Sequence, residues 1–211
     1  MNYGEEQMKE RATGEVAKIS IVCAAFCILV FMLGLVSTDC QADETPVPSF
    51  GEGKINVRLS TDYFCAPCRE MEPDIEPILA ELVQENIIRL TFIDTPFYRS
   101  SSLYARYFLY AMNEKKTLDN ALFVRRSLIE ASKRQIYETQ KLEAFLNEKK
   151  IGFKPYDVKP VFSTLSAYLK QDNIEKTPTC VTEINGKTYK YEGRPDITDA
   201  LDKLRQKKSS R

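Results

Sequence analysis

Two cysteines stand three residues apart at the boundary between two hydrophobic patterns, and this placement constrains the fold more than any other feature of the sequence. Ile55-Asn56-Val57-Arg58-Leu59-Ser60 alternates apolar and polar residues, the signature of a half-buried strand. After Thr61-Asp62-Tyr63-Phe64 come Cys65-Ala66-Pro67-Cys68. Pro67 suits the first turn of a helix, where its missing N–H costs nothing. Ile75, Ile78, Leu79, Leu82 and Val83 then form an apolar stripe at helical spacing, and the helix is expected to run to about Glu85. Pro73 and Pro77 inside it predict a kink or a delayed regular start. Ile87 to Ile93 is a second strand, apolar enough to be central. Strand, cysteine pair, helix and parallel strand together make a βαβ unit.

From about Pro96 to Lys176 the spacing turns helical. Leu103, Tyr107, Tyr110 and Ala111 share one face, and Leu118, Leu122 and Arg125 share another with Val124, Leu128 and Ile129 close by. Leu142, Phe145 and Leu146 mark a third helix. Val161, Phe162, Leu165, Tyr168 and Leu169 mark a fourth, with Pro160 near its start. Strand character returns at Thr179–Ile184. Asn185-Gly186 follows, a strong hairpin signal, with Lys187–Tyr191 as the returning strand. Gly193 to Asp196 reads as a turn, and Ile197 to about Gln206 as a closing helix before the basic tail 207–211.

Composition removes most other chemistries. The 211 residues carry 30 basic and 30 acidic side chains, which argues against a broad basic face for nucleic acid. Histidine is absent, which excludes Ser-His-Asp and Cys-His catalysis and histidine-ligated haem. A zinc site built on the cysteine pair would need a second pair of ligands, and only Cys180 and Cys40 remain for it. A static disulfide between Cys65 and Cys68 would close a very small loop and constrain the unfolded chain little. Reversible thiol–disulfide chemistry uses the arrangement better. The first sulfur sits over a helix N-terminus, where the N–H groups and the dipole favour the thiolate, and the thiolate is the nucleophile. Cys65 is therefore expected to attack and Cys68 to resolve, with no metal and no cofactor. Cys180, two residues past Pro178, is either a third redox thiol or, more simply, a buried inert strand cysteine.

The first fifty residues read as an address. Residues 19–37 are almost unbroken apolar sequence of roughly the ~20 residues that span a bilayer. Lys9, Arg11 and Lys18 precede this run and no Lys or Arg follows until Lys54, so residues 1–18 are placed in the cytoplasm and the rest outside it. An uncleaved signal anchor is the leading reading. A cleaved signal peptide ending at Ala42 and a lipoprotein modified at Cys40 are the alternatives. Cys23 and Cys27 are read as small apolar membrane residues. Residues 38–53, rich in Pro, Gly and acids toward their end, are a linker to a domain over 54–206 with its helical insertion at about 97–176.

Four segments give the chain its family likeness. They are Phe64-Cys65-Ala66-Pro67-Cys68 after a strand, the helical insertion opening Ser101-Ser102-Leu103-Tyr104-Ala105-Arg106, Thr177-Pro178-Thr179 before a strand, and the terminal hairpin plus helix. Over about Lys54 to Leu204 the chain resembles the thioredoxin superfamily in its DsbA-like branch. The resemblance implies an α/β thioredoxin fold with an inserted helical subdomain, here preceded by one N-terminal transmembrane helix. It implies that Pro178 is cis beside the cysteine pair, and that Thr177 offers backbone hydrogen bonds to an extended substrate. Phe64, Ala66 and Pro67 complete the active-site loop.

The sequence departs from that family in two respects. Typical DsbA oxidases carry a His between the cysteines, whereas Ala66-Pro67 is closer to the Gly-Pro of reducing thioredoxins. The acid that the family often buries six residues before the first cysteine is replaced by Leu59. Asp62 and Glu70 are then candidates for proton handling at Cys68 or, more simply, solvent-facing acids. Tyr104, Tyr107, Phe108 and Tyr110 either line a peptide groove or, more simply, form the core of the insertion. The expected activity is extracytoplasmic thiol–disulfide exchange with exported proteins, reset by a membrane redox partner: a quinone-linked oxidase or a thiol-reductant transporter. A non-catalytic binding or chaperone module and a dedicated reductase for cytochrome c maturation are the alternatives.

Overall fold

The alternating segment Ile55–Thr61 becomes a central strand, β2, because both its faces and both its edges are covered. It pairs in parallel with β3 (Ile88–Asp94), with Val57 opposite Leu90 and Leu59 opposite Phe92. On its other edge it pairs antiparallel with β4 (Thr179–Ile184), with Leu59 opposite Cys180. β4 turns through Asn185-Gly186 into β5 (Lys187–Glu192). Asn185 and Gly186 both adopt positive φ, 51° and 74°, the backbone that a two-residue hairpin of the right twist requires. With a short edge strand β1 (Ser49–Phe50), the five-stranded sheet has the order β1-β3-β2-β4-β5. The computed structural model describes residues 47–206. The readings for 1–18, for the span 19–37 with Cys23 and Cys27, for Cys40, Ala42 and the first part of the linker, and for the tail 207–211 lie outside these residues. Among the described residues no helix is long and apolar enough to cross a membrane.

β1 (Ser49–Phe50) is an element the sequence reading missed. It pairs antiparallel with β3, and Val47 and Phe50 are buried in the core. The segment read as linker up to Gly53 therefore enters the core at Val47 and joins the sheet at Ser49–Phe50. A two-residue edge strand carries no periodicity to detect. Gly53 passes so close to β3 that a Cβ there would lie 2.2 Å from the Ile88 nitrogen.

Helix α1 (Ala66–Gln84) crosses between β2 and β3 and buries Met71, Ile75, Leu79 and Leu82. It starts at Ala66 and continues through Pro73 and Pro77, so the expected delayed start does not occur. The insertion between β3 and β4 holds α2 (Ser101–Glu114), α3 (Leu118–Lys133), α4 (Thr139–Glu148) and α5 (Lys159–Gln171). The buried face of α2 is Tyr104, Tyr107, Phe108, Ala111 and Met112, whereas Leu103 and Tyr110 are only partly buried. The expected stripe is thus rotated toward the aromatics. The closing helix α6 (Arg194–Gln206) begins three residues earlier than Ile197 and packs on α1 and β5.

One buried cation joins the insertion to the sheet. Arg125, on the apolar face of α3, is 1% exposed. Its guanidinium donates to both oxygens of Glu72 on α1 (2.5 and 3.2 Å), to Thr61 Oγ1 (2.7 Å), to Asp94 Oδ1 (3.3 Å) and to the Tyr63 hydroxyl (3.5 Å). It lies 4.3 Å from the centre of the Phe92 ring. A second pair, Arg58 of β2 with Asp172 just past α5, is bidentate at 2.6 and 2.7 Å and ties the far end of the insertion to the sheet.

Arg125→Leu should cost about 3–5 kcal/mol in denaturant unfolding, because Glu72 and Asp94 stay buried without their cation. Arg125→Leu combined with Glu72→Leu should recover much of that loss; a double variant less stable than the single would disprove the account. Burial raises the Asp94 carboxyl to about 6 despite the opposing pull of Arg125. The folded state therefore holds a proton that the unfolded chain has released. Stability contributed by Asp94 is present below pH 4 and lost as pH rises through about 6. Asp94→Asn should flatten that slope in a pH series of unfolding midpoints.

Candidate active site

Cys65 is the N-cap of α1, with Ala66 and Pro67 opening the helix and Cys68 in its first turn. Ala66 and Pro67 are exposed, whereas Cys65 and Cys68 are buried and unbridged. The Cys65 N–H donates to the Asp62 carbonyl at 3.1 Å, and its own carbonyl accepts the Arg69 N–H at 3.1 Å. The Thr177-Pro178 peptide bond is cis. The Cys65 thiol donates to the Thr177 carbonyl oxygen at 3.3 Å. The structure therefore brings together the residues separated by more than a hundred positions in the chain: Cys65 and Cys68 from the turn, and Thr177 and Pro178 from the entry to β4.

The two thiols differ in acidity. Cys65 is lowered to about 6, first because the Cys68 thiol donates to its sulfur, and then through hydrogen bonding from the Thr177 side-chain hydroxyl and the Cys68 backbone N–H. Burial and the Asp62 carboxylate oppose this shift. Cys68 is pushed far upward, first by its donation to Cys65 and then by burial. At neutral pH the pair therefore holds one thiolate, on Cys65, and one thiol, on Cys68. This is the arrangement in which the first sulfur attacks and the second waits. Cys180 lies fully buried on β4 opposite Leu59, and desolvation raises it to about 12, which suits an inert packing residue.

Asp62 corrects the sequence reading. Glu70 is exposed as expected, but Asp62 is buried. Its Oδ1 accepts the Phe64 N–H at 2.8 Å, and its Oδ2 accepts the Phe97 N–H at 3.0 Å and the Ser101 hydroxyl at 2.7 Å. The carboxylate thus fastens the cysteine turn to the loop entering α2. An aspartate two residues before Phe64 carries the local signal of an Asx turn, but its long-range donors have no sequence signature. Tyr104, Tyr107 and Phe108 are buried, so the insertion-core reading holds for them. The exposed aromatics stand elsewhere, at Phe97, Tyr98, Phe123, Tyr137 and Tyr189 among the described residues. Phe64 stacks on Tyr137 with ring centres 5.7 Å apart and meets Tyr104 edge-on at 4.8 Å. Among the described residues no cluster of His, Cys, Asp or Glu is arranged to hold a metal ion.

The thiolate absorbance of Cys65 near 240 nm should titrate with a midpoint about 6. In Cys68→Ala the midpoint should rise, because the largest stabilising donor is gone. An unchanged midpoint would show that the Cys68 thiol does not set the acidity.

A profile described as thioredoxin matches residues 53–203. No curated protein matches the chain. Solved structures do. A periplasmic thioredoxin-like protein from Salmonella enterica serovar Typhimurium is 20% identical, with TM-score 0.57 over 80% of this chain and 93% of that one. ScsC of Proteus mirabilis, in a transitional conformation, is 19% identical with TM-score 0.59, covering 98% of each chain. The alpha-DsbA1 protein of Wolbachia pipientis is 14% identical with TM-score 0.59 over 76% of this chain and 91% of that one. The likeness to these structures is one of fold. Given the profile match over most of the chain and the cysteine turn set beside a cis-proline, the chain belongs to the thioredoxin family.

Proposed function

We propose that this chain is an extracytoplasmic thiol–disulfide oxidoreductase acting on exported proteins. The observation that carries the reading is the unequal cysteine pair at the start of α1, Cys65 lowered and Cys68 raised, beside the Thr177 carbonyl. The Cys65 thiolate attacks one sulfur of a substrate disulfide. A Cys65–substrate disulfide forms, and the other substrate sulfur leaves as a thiolate and takes up a proton. Cys68 then loses its proton and attacks the Cys65 sulfur, releasing the second substrate thiolate. Two electrons pass from the dithiol to the substrate; the same steps in reverse oxidise a substrate dithiol. Once Cys65 ionises it no longer donates to Thr177, and that carbonyl is open to an N–H of an extended substrate strand. Pro178 is buried beneath it.

The location rests on the apolar run 19–37 with its preceding basic residues. The periplasmic location of the Salmonella neighbour agrees with it. A membrane thiol–disulfide partner, quinone-linked oxidase or thiol-reductant transporter, resets the pair.

The acidity of Cys65 bears on direction. A value about 6 lies nearer the ~7 of thioredoxin than the ~3.5 of DsbA. Less thiolate stabilisation makes the disulfide a weaker oxidant. The equilibrium potential is expected between thioredoxin's ~−270 mV and DsbA's ~−120 mV, nearer to the former. A potential close to that of DsbA would reverse the reading to a disulfide donor. Cys68→Ser should accumulate a mixed disulfide with a reporter substrate, and Cys65→Ser should form none. If the wild-type pair does not equilibrate with dithiothreitol, the enzyme reading fails.

A further inference from the structure

Of the five large apolar side chains left exposed among the described residues, Phe123 and Tyr189 stand alone on α3 and β5, whereas the other three lie on the two connections that flank the cysteine turn. Phe97, Tyr98 and Tyr137 are 50%, 51% and 54% exposed. Phe97 and Tyr98 sit on the loop between β3 and α2, and Tyr137 on the connection between α3 and α4. Phe64, Tyr98, Arg99, Ser100 and Tyr137 line a cleft of about 560 Å³, which Phe64 joins directly to Cys65. The loop is held in place: Phe97 N–H is bound by Asp62, and Tyr98 N–H by the Ser101 hydroxyl at 3.2 Å. Exposed aromatics on a fixed loop beside a nucleophile mark an interaction site.

The cleft also carries a charge. Most of the described arginines have a carboxylate within salt-bridge distance, but Arg99 has none among the described residues. Resting on the exchange activity proposed above, we infer that the cleft takes a stretch of the substrate polypeptide next to its reactive cysteine, and that Arg99 selects stretches pairing an acidic side chain with an aromatic one. Tyr98, Tyr137 and Phe64 supply stacking faces for the aromatic side chain. The guanidinium supplies the fork for the carboxylate. A basic stretch would bring its cation against Arg99 and be disfavoured.

The test uses the full-length chain in mild detergent, reduced, with peptides that each carry one cysteine disulfide-linked to a fluorescent thiol. The peptides differ only in the two residues after the cysteine: Glu-Phe, Lys-Phe or Glu-Ser. Each variant is read as a ratio of rates between two peptides, so a general loss of activity cancels. Wild type should favour Glu-Phe over Lys-Phe about fivefold at low ionic strength, the scale of an exposed ion pair. The ratio should approach one at high salt. In Arg99→Glu the order should invert. In Tyr137→Ser the preference for Glu-Phe over Glu-Ser should shrink. A wild-type ratio of one, or a ratio unchanged in Arg99→Glu, overturns the inference. Self-association abolished by Arg99→Glu would give the cleft to a second copy and overturn it too. Turnover of hydroxyethyl disulfide by wild type separates the two levels: activity there with no peptide preference defeats only the cleft, whereas no activity defeats the exchange reading itself.

Discussion

The arrangement around the cysteines depends on a buried arginine. Arg125 belongs to α3, yet its donors end on Thr61 and Asp94 at the ends of the two central strands and on Glu72 one turn beyond Cys68. Those are the three pieces of chain that frame the cysteine turn. Removing an ion from water is costly, and the attraction offsets that cost only when the remaining donors are satisfied. Here one guanidinium meets two carboxylates, a threonine hydroxyl and a tyrosine hydroxyl, with Phe92, Tyr63 and Phe108 around it. The insertion is therefore more than a cap on the fold. It supplies the cation around which sheet and active-site helix are aligned.

The site has neither a histidine between the cysteines nor an acid six residues before the first of them. Leu59 fills that second position and packs between Phe92 and Cys180. The thiolate is stabilised instead by what remains: the partner thiol, the Thr177 hydroxyl and the first-turn N–H. These are neutral donors, and they shift Cys65 moderately rather than drastically. A formal cation within the turn would stabilise the thiolate further and make the disulfide more oxidising. The chemistry of the two residues between the cysteines thus carries directly into the expected potential.

Asp62 links the cysteine turn to the aromatic loop that borders the proposed substrate cleft. It is the acceptor for the turn on one side and for the aromatic loop on the other. Phe97, Tyr98 and Arg99 are therefore presented at a fixed distance from Cys65 rather than on a free loop. Fixing such groups in advance lowers the ordering cost of binding a flexible polypeptide.

Much of this was legible in the sequence. Period-two alternation at Ile55–Ser60, period-3.6 spacing at Ile75–Val83 and the Asn185-Gly186 turn are local signals, and local signals fix the type of element they lie in. The cysteine pair is local too, so its place at a helix start could be read directly. The proximity of Thr177 to Cys65 came only from family likeness, because more than a hundred residues separate them. The tertiary structure alone decided the burial of Asp62 and Arg125, the entry of Val47 and Phe50 into the core, and the gathering of Tyr98, Arg99 and Tyr137 beside Phe64. A charged residue on an apolar helical face, or an aromatic in a loop, has no periodicity that tells buried from exposed. Its state is set by which distant partners the fold brings within hydrogen-bonding or stacking distance.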